Sequence, residues 1–131
     1  MMEHTNESKQ VIVFRRDLLS NGRVTNGKIA AQVAHAAMLF MVERIRRGEC
    51  MTALELAWLF GPMTKIVVGC DGLAEMLALQ EVARLSGLQA FIVIDEGRTA
   101  FDGIATRTAL AIGPAPCDAI DAVTGHLKTL R

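Results

Sequence analysis

The stretch AFIVIDEGRTAFDGIATRTALAIG, residues 90–113, contains two apolar runs separated by a short polar segment. The runs AFIVID (90–95) and TRTALAIG (106–113) are rich in Ile, Val, Leu and Ala, which is typical of buried β-strands. The ten residues between them show no helical periodicity and are too few for a crossover helix. The second run is therefore predicted to return antiparallel to the first.

Upstream of this pair, predicted strands alternate with predicted helices. VIVF (11–14) and KIVVGC (65–70) have the apolar, β-branched character of buried strands. The predicted helices span residues 28–47, 52–60, 73–87 and 117–131. The alternation favours a parallel sheet with helices on its faces. The predicted fold class is α/β, a three-layer α/β/α sandwich around a four-stranded mixed sheet whose last strand is antiparallel.

The length and patterning of the chain predict one domain. A chain of 131 residues, 51% of them apolar, can bury a single core. Residues 1–9 carry no periodic apolar pattern, so we expect a flexible N-terminus followed by a domain over 10–131. No apolar run approaches the length of a membrane span, and the polar N-terminus has no signal core. We expect a soluble protein without a membrane partner.

Charge and cysteine usage narrow the function classes. Lys and Arg number 14, as do Asp and Glu, so the chain lacks the strong net positive charge of many nucleic-acid binders, and we expect no DNA partner. The three cysteines form no CxxC pair, which argues against a disulfide framework and a zinc site and fits a reducing cytoplasm. No GxGxxG, P-loop or GxSxG motif is present, so we expect neither a cofactor nor a metal.

Polar residues are predicted to converge at one edge of the sheet. Ligands of open α/β sheets bind at the carboxyl ends of the parallel strands. The helix that begins at Lys28 starts near this edge, Asp95 ends a strand there, and Thr106 and Thr108 open the returning strand. A cation in the first turn of a helix is unfavourable by itself, and a facing Asp95 carboxylate would stabilise it.

Each of these residues also has a purely structural interpretation. Lys28, Gln32 and His35 are spaced four and three apart, which places them on one helix face, and such a stripe is also typical of the solvated side of an amphipathic helix. Asp95 could form a turn after its strand. In the functional interpretation, Arg98 keeps this carboxylate ionised and Thr99 positions water or substrate.

Basic residues are predicted near the same edge. They are Arg15, Arg16, Arg23, Lys28, Arg98 and Arg107. Such a local patch suits a polyanion despite the net charge of zero. In contrast, Arg44, Arg46 and Arg47 resemble an ordinary solvated helix end, where the helix dipole favours cations.

Four ordered sequence blocks resemble the type II peptidyl-tRNA hydrolases. The blocks are GKIAAQVAHAA (27–37), IDEGRT (94–99), TRTALAIGPAP (106–116) and VTGHLK (123–128). The resemblance implies the same mixed-sheet fold and hydrolysis of the ester that joins a peptide to the 3′ end of tRNA. It implies a catalytic set of Lys28, Asp95, Thr99 and Thr108, with Gln32, His35 and Arg98 in support. The tRNA-binding residues would be Arg15, Arg16, Arg23 and Arg107.

The implied mechanism is metal-free transfer of the peptidyl group to water. Asp95, held by Lys28, would orient or deprotonate the water, while Lys28, Thr99 and Thr108 stabilise the oxyanion. Glu96 departs from the small residue usual in the family and would raise the pKa of Asp95 or weaken tRNA approach. The alternatives are a non-catalytic tRNA- or protein-binding module and a hydrolase of another acyl-tRNA ester. Apolar helix faces are compatible with a homodimer.

Overall fold

A computed structural model describes residues 7–20, 22–97, 101 and 103–131. The strands are β1 (Ser8–Arg15), β2 (Lys65–Cys70), β3 (Ala90–Asp95) and β4 (Thr106–Pro116). The helices are α1 (Asn26–Arg47), α2 (Ala53–Leu59), α3 (Leu73–Leu85) and α4 (Cys117–Thr124). Residues 1–6, the main part of the predicted flexible N-terminus, lie outside the described residues. Ser8 already pairs with Pro116, so β1 begins before the predicted domain boundary.

The four strands form one mixed sheet in the order β2-β1-β4-β3. β1 and β2 are parallel, and β4 runs antiparallel to both of its neighbours, β1 and β3. The predicted antiparallel last strand is therefore confirmed. β4 lies inside the sheet, which explains why eight consecutive residues of this strand are buried. β2 and β3 are the two edge strands.

Alternating residues of β1 separate the core into two halves. Val11 and Val13 pack with Met76 of α3 and Ile120 of α4 on one face of the sheet. Residues Ile12 and Phe14 pack with Ala36 of α1 on the other. On this second face, Trp58 of α2 meets Phe40 of α1 edge to face, with the ring centroids 5.9 Å apart. The α/β/α layering predicted from the sequence follows from this alternation.

The C-terminal segment differs from the predicted helix over 117–131. The helix ends at Thr124, and the chain then runs beside β2. The Gly69 amide donates to the Lys128 carbonyl and the Leu130 amide to the Val67 carbonyl, both at 3.0 Å. This pairing satisfies backbone N–H and C=O groups at the edge of β2, which would stay unpaired if the helix continued. The segment thereby covers the β2 edge.

A buried ion pair attaches α2 to the end of α1. Glu55, 2% exposed, completes a capping box with Thr52. Its carboxylate also accepts from Nε and Nη2 of Arg44 at 3.0 and 2.9 Å. Burial by itself raises the pKa of Glu55. The hydrogen bonds and charge of Arg44 and the Thr52 amide lower it by more, so the pKa lies below its ordinary value and the carboxyl stays ionised. Arg44 is therefore a structural residue rather than part of a solvated helix end.

We expect Arg44→Gln to lower the free energy of unfolding by about 3 kcal/mol, because it leaves the Glu55 carboxylate buried without its bidentate partner. Urea unfolding followed by circular dichroism measures this loss. The matched control is Arg46→Gln on the same helix, whose exposed pair with Glu43 contributes about 0–1 kcal/mol. Equal losses in the two variants would contradict the structural role of Arg44.

Candidate active site

The first turn of α1 carries Lys28 to the carboxyl end of β3. The Thr25 hydroxyl caps the helix by accepting from the Lys28 amide at 3.1 Å. Lys28 Nζ lies 2.7 Å from Asp95 Oδ2, and also 5.9 Å from the centre of the Phe101 ring. The predicted pairing of Lys28 with Asp95 is confirmed. The carboxylate compensates a cation that the helix dipole disfavours.

Gly97 shapes the loop that follows Asp95. Its amide donates to Asp95 Oδ1 at 2.6 Å, and its φ of +82° lies in the left-handed region that favours glycine. A Cβ at this position would lie 2.3 Å from the Ile104 carbonyl oxygen. Gly97 therefore lets the loop approach Ile104 while holding one oxygen of the carboxylate in place.

Gln32 and Thr108 extend the site from Asp95 into the core. Gln32 Nε2 donates to Asp95 Oδ2 at 3.0 Å, and Gln32 Oε1 accepts from the Thr108 hydroxyl at 2.5 Å. An ionised carboxylate only accepts hydrogen bonds, which turns the Gln32 amide nitrogen toward it and leaves the amide oxygen for Thr108. The Thr108 residue is 0% exposed, and the single proton of its hydroxyl is donated to Gln32 in this structure.

An irregularity in β4 turns Thr108 toward Gln32. Val93 pairs with Ala109 and Ile94 with Arg107, so Thr108 is an extra residue in the ladder. Ala109 packs on the α1 face, and regular alternation would send Thr108 to the opposite face. The bulge redirects its side chain to α1, where it meets Gln32. Sequence periodicity alone gave no sign of this contact.

The surroundings of Asp95 keep its carboxylate ionised. Burial raises the pKa, but the hydrogen bond and charge of Lys28, the Gly97 amide and Gln32 lower it more, so it lies below the ordinary value of 3.8. The net direction is opposite to the increase expected from Glu96. With side chains 20% and 9% exposed, Lys28 and Asp95 both reach the surface at the sheet edge.

We expect Lys28→Met to raise the pKa of Asp95, because among the described residues burial is then opposed by the neutral donors Gly97 and Gln32. Carbon-13 NMR titration of the carboxyl measures this change. Because folding lowers the pKa of Asp95, the ionised carboxylate stabilises the fold at pH values above the ordinary pKa of Asp. This stabilisation is lost as the pH falls through the pKa of the folded state. The stability difference between wild type and Lys28→Met should therefore shrink under acid. Lys9→Met, which removes the Lys9–Asp121 pair, should leave the Asp95 titration unchanged.

The other predicted residues are distributed around this site. His35 is exposed one turn beyond Gln32, and Arg23 is exposed before α1. Arg15 Nη1 donates to the Arg107 carbonyl at 3.0 Å, while its Nε and Nη2 bind Asp17. In contrast, Arg16 donates to the carbonyls of Lys128 and Thr129 at the covered β2 edge. Arg98 and Thr99 lie outside the described residues.

Among the described residues, Cys70 offers no ready nucleophile to the site. Burial raises the pKa of the Cys70 thiol to about 11, which opposes formation of a nucleophilic thiolate. Within the described ranges, no three His, Cys, Asp or Glu side chains cluster as metal ligands. The helices in this part of the chain are also too short or too polar to cross a membrane.

Comparison with known proteins gives a consistent result over nearly the whole chain. The family model described as Peptidyl-tRNA hydrolase PTH2 matches residues 8–130. A peptidyl-tRNA hydrolase of Methanopyrus kandleri is 42% identical over 123 residues, which cover 94% of this chain and 98% of the relative. One from Metallosphaera sedula is 38% identical, with 93% and 99% covered. Human peptidyl-tRNA hydrolase 2, mitochondrial, is 37% identical over 93% of this chain and 64% of its own length.

Proposed function

This chain belongs to the peptidyl-tRNA hydrolase PTH2 family, and we propose that it hydrolyses the ester between a peptide and the 3′ end of tRNA. The observation that carries the proposal is the ion pair of Lys28 and Asp95, 2.7 Å apart at the edge of the sheet. It places an ionised carboxylate beside an ammonium group. These are the two charges needed to guide a water molecule and to stabilise an oxyanion.

In the proposed reaction, Asp95 orients the attacking water and accepts its proton. The water oxygen bonds to the ester carbonyl carbon, and Lys28 stabilises the negative charge that develops on the carbonyl oxygen. The carbonyl then re-forms as the bond to the ribose oxygen breaks, and that oxygen takes up the proton held by Asp95, which leaves a free hydroxyl on tRNA and restores the carboxylate. The products are a peptide carboxylic acid and tRNA. No metal ion takes part in this scheme.

Gln32 and Thr108 act as positioning residues in this scheme. The Thr108 hydroxyl fixes the Gln32 amide, and the amide nitrogen holds Asp95 Oδ2 beside Lys28. Thr99 remains the proposed hydroxyl for the oxyanion, with Arg98 and His35 in support. Arg15, Arg23 and Arg107 remain proposed tRNA contacts, whereas the Arg16 guanidinium binds backbone carbonyls of the C-terminal segment.

Incubation of the purified protein with peptidyl-tRNA and a chelator tests the proposal. We expect release of free peptide and tRNA, measured as loss of acid-precipitable labelled peptide. Binding of tRNA without release would favour the non-catalytic module. Release from another acyl-tRNA ester, but not from peptidyl-tRNA, would favour the alternative hydrolase. Activity that the chelator abolishes would overturn the metal-free mechanism.

The setting of the enzyme is also part of the proposal. Three unpaired cysteines and a translation-related family support a cytoplasmic location, although the human relative is named as mitochondrial. Exposed apolar side chains such as Phe60 and Leu85 support a homodimer. Light scattering after size-exclusion chromatography tests the dimer, with a mass of one 14.2 kDa chain as the contradicting result.

A further inference from the structure

The outer edge of β3 lies in a long groove between α1 and α3. The groove has a volume of about 720 Å³, and its floor is Phe91, Ile92, Val93 and Ile94. In the described part of the chain, no strand pairs with β3 on this side. The opposite sheet edge, at β2, is covered by the C-terminal segment. The β3 edge is therefore the accessible one.

The groove is strongly basic although the chain as a whole has no net charge. Its charged lining consists of one acid, Glu43, and four arginines, which together give a net charge of +3. The arginines are Arg46, Arg47, Arg84 and Arg107. Glu43 contacts Arg46 at 3.0 Å and Arg47 at 3.9 Å. This separation of charge favours a polyanionic ligand.

Two of these arginines lie against the Phe91 ring at the far end of the groove. The guanidinium groups of Arg47 and Arg84 each lie 5.7 Å from the centre of its ring. Arg84 Nε and Gln80 Nε2 also donate to the Ala90 carbonyl, both at 3.1 Å. These side chains occupy part of the strand edge that an added peptide strand would need. The arrangement therefore favours a phosphate backbone over an extended peptide.

The groove leads directly to the candidate active site. Ile94 in its floor precedes Asp95, and Arg107 in its wall precedes Thr108. From His35 to Arg46, α1 advances eleven residues along the groove, or about 16 Å. A ligand bound at Arg46 and Arg47 can therefore continue along the wall toward Lys28 and Asp95.

We propose that this groove binds the sugar-phosphate backbone at the acceptor end of tRNA, with Arg46, Arg47, Arg84 and Arg107 contacting phosphates. The inference rests on the proposed function, because it takes tRNA as the polyanion that reaches the site. Binding is largely independent of base sequence, since the contacts are to phosphates. The basic surface extends along the β3 edge, away from the β2 edge where Arg16 lies.

The double variant Arg46→Gln/Arg47→Gln tests the proposal through binding of uncharged tRNA. We expect affinity at moderate salt to fall about tenfold, and the slope of log affinity against log salt to decrease by about 1.4 for two lost contacts. Lys128→Gln/Arg131→Gln removes the same charge at the opposite sheet edge and should change affinity less than twofold. Arg46→Lys/Arg47→Lys should retain most of the binding, which controls for damage to α1. Equal losses in the two glutamine variants, or no loss in the first, would overturn the proposal.

Hydrolysis of two substrates separates this inference from the proposed function. For peptidyl-tRNA, the groove variant should raise KM about tenfold with kcat little changed. For a peptide esterified to adenosine alone, which has no phosphate backbone, its kinetics should match those of wild type. A raised KM for peptidyl-adenosine with unchanged tRNA binding would identify a peptide as the occupant and overturn the inference. If wild type hydrolyses neither substrate, the proposed function fails, and tRNA binding still decides the groove.

Discussion

Asp95→Asn is expected to lower kcat/KM for peptidyl-tRNA by about a thousandfold, the range of a lost general base. Asparagine keeps the shape of the side chain but can neither take the proton of water nor balance the ammonium of Lys28, 2.7 Å away. Single-turnover assays with labelled peptidyl-tRNA measure the loss. Because the proposed tRNA contacts lie outside this pair, affinity for uncharged tRNA should remain within a few-fold of wild type.

Asp121→Asn is the matched control for this variant. Asp121 Oδ1 also pairs with a lysine at 2.7 Å, in this case Lys9, but the pair is remote from the carboxyl end of β3. We expect its kcat/KM to stay within twofold of wild type. If Asp95→Asn retained more than a tenth of the activity, Asp95 would not be the group that activates water.

The site was partly predictable because strand ends and helix starts have fixed positions in an α/β sheet. Asp95 follows an apolar strand and Lys28 opens a helix, so the topology alone brings them to one edge. The contact of Thr108 with Gln32 was not predictable in this way. It depends on an extra residue in β4, which turns the Thr108 side chain to the other face of the sheet. The alternation of apolar and polar residues in the sequence does not reveal such a bulge.

The arginines at the end of α1 show the same limit of prediction from sequence. Arg44, Arg46 and Arg47 all belong to the last turn of α1, where any cation is favourable. The fold separates them, because Arg44 turns toward buried Glu55 while Arg46 and Arg47 line the β3 groove. Likewise, the helix predicted over 117–131 ends at Thr124 in the structure. The edge of β2 offers backbone hydrogen-bond partners to the following residues, and the local sequence does not show them.

Thr108→Val is expected to lower kcat between tenfold and a hundredfold while KM changes little. The variant keeps the volume of the side chain but removes the donor to Gln32 Oε1, so the amide is no longer fixed with its nitrogen toward Asp95. The pKa of Asp95 should rise as the Gln32 hydrogen bond weakens, and NMR titration measures that shift. Thr108→Ser should restore most of the activity. The control Thr124→Val alters another buried threonine, whose hydroxyl donates to the Ile120 carbonyl, and should leave kcat unchanged.

A double-mutant cycle with Gln32→Ala distinguishes positioning from direct contact. If Thr108 acts through Gln32, Thr108→Val should have almost no further effect on kcat once Gln32 is alanine. If its hydroxyl met the oxyanion itself, the two losses would multiply. The single proton of Thr108, already donated to Gln32, predicts the first result. Its failure would return Thr108 to the group of residues that touch the substrate.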